Sequence, residues 1–272
     1  MSPRILVTGG TGTLGSLVVP LLRDAGAPVR VLSRHARPTA ADGVEYTAVD
    51  LLAGDGLDTA LEGVETVLHL AGGPRGDDVA TRNLVAAARR AGTVRHVVLI
   101  SVIGADTLPI GYFRRKLASE QALPDSGIGW TVLRAAQFHS LALSTARGLA
   151  KLPLLLAPGG VRWQPVDPRD VAERLAELAL GEPAGLVADL AGPRTYALDE
   201  LGRDYLRAVG KRRVRLPIRV PGKTGRLYRA GANLSADAQT GRRSWEDYLA
   251  EHAGDVPHKG EARHAGDSVA RA

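Results

Sequence analysis

The sharpest chemistry in the chain stands near its start, where Val7-Thr8-Gly9-Gly10-Thr11-Gly12-Thr13-Leu14-Gly15 joins an apolar run to a helical pattern. Glycines at this spacing, in this setting, suit a diphosphate. Gly9 allows a tight turn, Gly12 lets the backbone approach phosphate with no Cβ in the way, and Gly15 permits close helix–strand packing. The first amides of the helix and the positive end of its dipole then face the anion. Gly9, Thr11, Gly12, Thr13, Leu14 and Gly15 are the expected contacts to a dinucleotide. The competing explanation is a plain turn in a chain with 32 glycines.

The next strand ends Val31-Leu32-Ser33-Arg34-His35. An NAD site usually places an acid there, about 20 residues after the glycines, to bond the ribose 2′-hydroxyl. Arg34 instead suits a 2′-phosphate, so NADP(H) is expected over NAD(H), with a plain surface cation as the alternative. Asp50 and Leu51, after the third strand, are placed to meet the adenine, although Asp50 could equally cap a helix. Leu70, Ala71 and Gly72 follow the fourth strand and would form a small-residue shelf for the ribose and nicotinamide.

A candidate acid–base set lies further on. Ser101 ends the fifth strand, and Tyr112-Phe113-Arg114-Arg115-Lys116 places a tyrosine and a lysine one helical turn apart. A nearby ammonium favours the phenolate, so Tyr112 could pass a proton to or from a substrate oxygen. Lys116 could also bond the nicotinamide ribose, and Ser101 could hold a substrate carbonyl. The plainer alternative makes Tyr112 a packing residue and Lys116 a cofactor contact only. Gln137, Phe138 and His139, with Trp163 and Gln164, are the expected substrate-side residues. Phe138 could instead belong to the core and His139 to the surface, and His69, inside a strand, reads as structural.

These residues need a frame. Apolar runs at Arg4–Thr8, Val29–Ser33, Val44–Val49, Thr66–Leu70, Arg95–Ser101 and Trp130–Arg134 read as strands. Helical patterns at Thr13–Ala25, Asp77–Ala91 and Tyr112–Leu123 separate several of them. Strands this apolar between helices imply an α/β fold: a Rossmann-type, doubly wound parallel sheet covered on both faces. Beyond Ala136 helices are expected at Phe138–Lys151, Pro168–Leu180 and Leu198–Val209. Strands are expected at Ala184–Leu190 and, as an edge marked by Pro217, at Val214–Val220, with a loop and a short strand within Leu154–Val166. The domain reading is a nucleotide-binding domain over residues 1–150, a small interleaved α/β substrate subdomain over 151–250, and a disordered tail over 251–272.

Composition narrows the chemistry. The 272 residues contain no cysteine, which removes disulfides, thiol nucleophiles and cysteine-held metals, and the seven histidines are scattered without metal-ligand spacing. No metal site is expected. No apolar run approaches the roughly 18 residues of a membrane span, and no signal-peptide layout precedes the first strand, so a cytoplasmic protein without membrane partners is expected. The net charge is +6, and aromatic residues make up only 4%. Between Arg203 and Arg229 ten cations stand against one acid, Asp204. Without a nucleic-acid-binding motif, that stretch reads as a solvated basic face or an attractor of anionic ligands, and no nucleic-acid partner is expected.

The TGGTGTLG turn, RNLVAAARRAGTVRHVVLIS, YFRRKLASE and WTVLRAAQFH together resemble the extended and atypical short-chain dehydrogenase/reductase superfamily, and within it the NmrA-like, NAD(P)H-binding branch. The resemblance extends over roughly residues 3–250. It implies NADP(H) binding through Gly9, Gly12, Gly15, Arg34 and Asp50, and a catalytic set of Ser101, Tyr112 and Lys116. Two positions depart from the family pattern: the interval from Ser101 to Tyr112 is short, and Ala135 stands where proline is frequent. The expected activity is hydride transfer between NADP(H) and a small carbonyl or quinone, by a monomer or homodimer. The alternatives are a non-catalytic redox sensor of NmrA type and a sugar epimerase or dehydratase that retains its nicotinamide.

Overall fold

The computed structural model describes residues 3–34, 44–73 and 75–254. In chain order the first elements are β1 (Ile5–Thr8), α1 (Gly15–Asp24), β2 (Val29–Ser33), β3 (Glu45–Ala48), α2 (Leu57–Ala60), β4 (Thr66–His69), α3 (Asp77–Ala91), β5 (His96–Val102), α4 (Gly111–Gln121) and β6 (Gly129–Ala135). There follow α5 (His139–Ala150), β7 (Leu154–Pro158), β8 (Arg162–Trp163), α6 (Pro168–Leu180), β9 (Gly185–Leu186), β10 (Leu190–Ala191) and β11 (Tyr196–Ala197). The last are α7 (Leu198–Ala208), β12 (Val214–Ile218), α8 (Gly222–Ala230), β13 (Gln239–Thr240) and α9 (Trp245–His252).

The chain divides into two compact, interleaved units. One comprises Met1–Ser101, Arg115–Arg134 and Val171–Val187; the other comprises Val102–Arg114, Ala135–Asp170 and Ala188–Ala272. In the first unit the strand order is β6-β5-β4-β1-β2-β3, the order of a dinucleotide-binding sheet, and β9 pairs with β6. The ladders β1/β2, β1/β4, β2/β3, β4/β5 and β6/β9 are parallel. Every residue of β1, β4 and β5 is buried, as a parallel sheet covered on both faces requires. Leu6, Val67, Val97, Leu99 and Val132 of the sheet pack with Leu84, Val85 and Ala88 of α3 in one cluster. α3 has a polar outer face, acids in its first turn and arginines in its last, in keeping with the helix dipole.

The second unit has its own core, in which Ala142 and Leu143 of α5 join Val161, Trp163, Tyr196, Leu201, Trp245 and Leu249. Its small sheets pair β8 with β11 antiparallel and β7 with β12 parallel. The single strand expected over Ala184–Leu190 is split into two short pieces. β9 registers with Thr131 and Val132, whereas β10 registers with Ala135 and then with β13. The region read as loop and short strand holds both β7 and β8. α2, α8, α9, β11 and β13 are additional to the sequence reading; all are short, α8 the longest at nine residues. α9 runs on to His252, and residues 255–272 of the expected tail lie outside the described residues.

Candidate active site

The turn between β1 and α1 is built by backbone packed on backbone. Gly9 has φ +67°, and a Cβ there would lie 2.8 Å from the Ala71 amide nitrogen. A Cβ on Gly15 would lie 2.3 Å from both the Gly9 carbonyl oxygen and Gly10 Cα. Gly10, absent from the three-glycine reading although adjacent to it, is pressed against Val31, whose Cγ1 would be 2.7 Å from its Cβ. Gly12 differs. Its only close neighbour would be the Gly9 carbonyl at 3.3 Å, so its outer side is open, as an approaching phosphate needs. Among the described residues no side chain caps α1; the Gly12 amide donates to the Gly9 carbonyl and the Ser16 amide to the Gly12 carbonyl, both at 2.9 Å, which closes the turn on itself. Thr11, Gly12 and Thr13 are exposed while Leu14 and Gly15 are buried. The turn fits a diphosphate in shape and in donors.

Around it lie the other expected contacts. Arg34 is exposed in the bend after β2. Asp50 is exposed and accepts a hydrogen bond from the Leu52 amide at 2.9 Å, beside the half-buried Leu51. Leu70 and Ala71 donate their amides to Thr8 Oγ1 at 3.2 and 3.1 Å, which fixes the shelf to the end of β1. Since those amides fill the Thr8 oxygen, its own proton points to His69 Nδ1 at 2.6 Å. Nε2 then carries the ring proton and faces Thr81 Oγ1 at 3.0 Å, and Thr81 donates to the Asp77 carbonyl at 2.8 Å. Burial, with a smaller contribution from the Lys116 charge, lowers the pKa of His69 to about 3, so the ring is neutral.

The carboxylate of the same Asp77 holds Lys116. Its ammonium is 3.0 Å from Asp77 Oδ2 with both side chains buried, and the Gly73 amide donates to Asp77 Oδ1 at 2.6 Å. Lys116 Nζ also lies 3.1 Å from the position a Cβ would take on Gly72. A fixed cation therefore stands at the shelf, its buried charge compensated by a carboxylate that sequence reasoning passed over. The available signal was Asp77 as the first residue of α3, directly after the glycine-rich Gly72–Gly76 segment.

The remaining expected residues have varied surroundings. The Ser101 hydroxyl donates to Glu120, which also accepts from Arg134 Nε at 3.0 Å and from its NH2 at 2.7 Å. Glu120 sits one turn beyond Lys116, a spacing that the YxxxK motif does not include. Tyr112 is half-buried, and its ring meets Phe113 edge-on at 5.5 Å. In the second unit Gln137 is buried and Phe138 half-buried. Trp163 belongs to the core, and the Gln164 amide donates to the Gly192 carbonyl at 2.9 Å. His139 is fully buried, 5.2 Å from the Tyr248 ring, with Nδ1 3.7 Å from Asp167 Oδ2. The structure thus gathers the glycine turn, shelf and Lys116, whereas Trp163, Gln164 and His139 are engaged in packing and local bonding. Among the described residues no group of three or more acidic, histidine or cysteine side chains could hold a metal.

The sheet order, the uncapped glycine turn and the shelf define a dinucleotide-binding α/β protein. A family profile described as NAD(P)H-binding matches residues 9–180, and the chain belongs to that family. It is 36% identical over 213 residues to (4-alkanoyl-5-oxo-2,5-dihydrofuran-3-yl)methyl phosphate reductase of Streptomyces griseus, covering 76% of this chain and 74% of that one. It is 34% identical over 218 residues to the NAD(P)H azoreductase of Xenophilus azovorans, with 76% and 74% covered. Among solved structures, the Escherichia coli NADPH-dependent quinone oxidoreductase in complex with NADPH superposes with a TM-score of 0.77 at 23% identity, over 91% of this chain and 99% of that one. That likeness establishes the fold.

Two measurements test this site. Gly15→Ala forces the turn apart and is expected to weaken coenzyme binding at least about 100-fold by calorimetry; binding within threefold of the parent would refute the packing argument. Because the His69 pKa falls on folding, the unfolded chain takes up the extra proton. The neutral ring's contribution is complete above about pH 6.5 and shrinks as pH falls towards 3, by at most about 1.4 kcal/mol per unit. His69→Gln should flatten the fall in urea-unfolding stability between pH 6.5 and 4.5, and an unchanged slope would remove His69 from the account.

Proposed function

We propose that the protein is an NADP(H)-dependent reductase of the short-chain dehydrogenase/reductase superfamily, in its NmrA-like branch, acting on a small carbonyl or quinone. The observation that carries this reading is the uncapped glycine turn, open at Gly12, beside a shelf that holds a buried lysine. The named activities of the relatives, reduction of a furanone phosphate, an azo compound and a quinone, support the class.

The coenzyme, when bound, supplies the hydride. The protein's part is binding, orientation and proton supply. The amides of Thr11, Thr13 and Leu14 hold the diphosphate, with Gly12 leaving the side of its approach open and Gly9 and Gly15 shaping the turn. Arg34 takes the 2′-phosphate and thereby favours NADP(H), while Asp50 and Leu51 bound the adenine. Leu70, Ala71 and Gly72 carry the ribose and nicotinamide, and Lys116, held by Asp77, faces the ribose hydroxyls. Tyr112 delivers the proton to the reduced oxygen. Ser101, committed to Glu120, positions α4 on β5. Gln137 and Phe138 are the proposed substrate contacts of the second unit. A second reading, a sensor that binds NADP(H) without turnover, has one observation in its favour: Ser101 and Lys116 are both already engaged by carboxylates.

Titration with both coenzymes and NADPH oxidation with a small quinone separate these readings. Arg34→Ala should weaken NADPH at least about tenfold and leave NADH within twofold; equal losses would cancel the 2′-phosphate assignment. Tyr112→Phe should slow quinone reduction about 100-fold with NADPH affinity retained, and full turnover would take the proton from Tyr112. Tight NADPH binding with no oxidation across carbonyls, quinones and azo compounds would establish the sensor.

A further inference from the structure

The parallel pairing of β12 with β7 sets Val214 beside Leu154, Leu216 beside Leu156 and Ile218 beside Pro158. Paired residues of neighbouring strands share a face, so this face holds six apolar side chains and no polar one. The opposite face carries Leu155 and Ala157, both buried, with Leu155 against Gly202 of α7. Arg215 lies on that side too and is held by Asp199 at 2.7 Å. The apolar face therefore looks outward: Val214 is 72% exposed, Leu216 43%, Ile218 37% and Leu154 37%.

Cations frame it. Lys211, Arg212 and Arg213 lead into β12 and Arg219 leaves it, all exposed, and no acid occurs between Tyr205 and Ala236. Three occupants are conceivable, and the strand discriminates among them. The Ile218 carbonyl accepts from the Gly159 amide at 2.9 Å, so by alternation the backbone groups of Arg215 and Pro217 turn to the open edge. Proline has no N–H, and the edge is blunted against an added peptide strand. A symmetric second copy would set these cations against one another across the interface. An anionic bilayer meets both features: apolar side chains enter the headgroup boundary and the cations meet lipid phosphates, with no fitted pocket needed.

We propose that the outward face of the β7–β12 sheet docks the protein peripherally on an anionic lipid bilayer. No helix among the described residues is long and apolar enough to cross a membrane, and the contact is a surface one. It departs from the expectation of no membrane partner, which composition supports only against a span.

Flotation of the full chain with vesicles of phosphatidylcholine alone, and of phosphatidylcholine with phosphatidylglycerol, tests this. Binding to the anionic vesicles is expected to exceed binding to the neutral ones at least about tenfold, and to fall with salt. Leu216→Ser combined with Ile218→Ser, both at exposed positions, should lower it about tenfold. Arg212→Glu with Arg219→Glu should do the same, while the same change of charge at Arg89 and Arg95, exposed in the first unit, leaves it within twofold. Coenzyme binding should be unaltered throughout. The proposal is overturned if anionic vesicles are not bound, if the serine pair binds as the parent does, or if both arginine pairs weaken binding alike, which signals diffuse attraction. A dimer in solution that the serine pair dissociates would assign the face to a second copy and equally overturn it.

Discussion

Backbone pressed on backbone at the end of β1 governs the architecture of the first unit. With no side chain at Gly9, Gly10 or Gly15, the strand, the first helix and the Leu70–Ala71 segment converge to contact distances that any Cβ would prevent. That convergence leaves the start of α1 without a side-chain cap beside the open flank of Gly12. An anion-binding surface here is a by-product of tight packing, with no charged side chain needed to create it.

From that turn hydrogen bonds lead inward through Thr8, His69 and Thr81 to the Asp77 backbone carbonyl, and the Asp77 carboxylate, by a separate contact, holds Lys116. The bonds at Thr8 and Thr81 fix the tautomer of His69, while the Gly73 amide and the Lys116 ammonium hold the Asp77 carboxylate. Buried ion pairs contribute little net stability when complete, yet removing one partner costs about 3–5 kcal/mol. The Lys116–Asp77 pair is thus better understood as fixing a charge in place at the shelf than as holding the fold together. The diphosphate turn and the ammonium beside Gly72 belong to the same compact unit.

Much of this was legible in the residues. The alternation of apolar runs and helical patterns through Arg134 gave the α/β class, and β2, α3 and α6 have the same limits in sequence and structure. The glycine turn was legible because its chemistry is local, written in nine consecutive residues. Asp77, Glu120 and the histidine relay were not, because their meaning depends on partners many residues away: Thr8 and His69 are 61 positions apart. His139, by its place after β6, and Trp163, by its place before Val166, read as substrate-side residues, with the surface as the alternative for His139; their burial is a property of the packed second unit and is not written in the local sequence. The same reason hid α8 and α9, whose short sequences acquire helical form from the core they join.

The placement of the three tryptophans has an optical consequence. Trp163 and Trp245 lie in the core of the second unit, Trp245 fully enclosed 6.0 Å from the His139 ring, whereas Trp130 sits partly exposed on β6 in the first. Intrinsic emission is therefore weighted towards the second unit, with its bluest component from Trp245. Loosening of that core would redden the spectrum, so the light reports chiefly on the second unit.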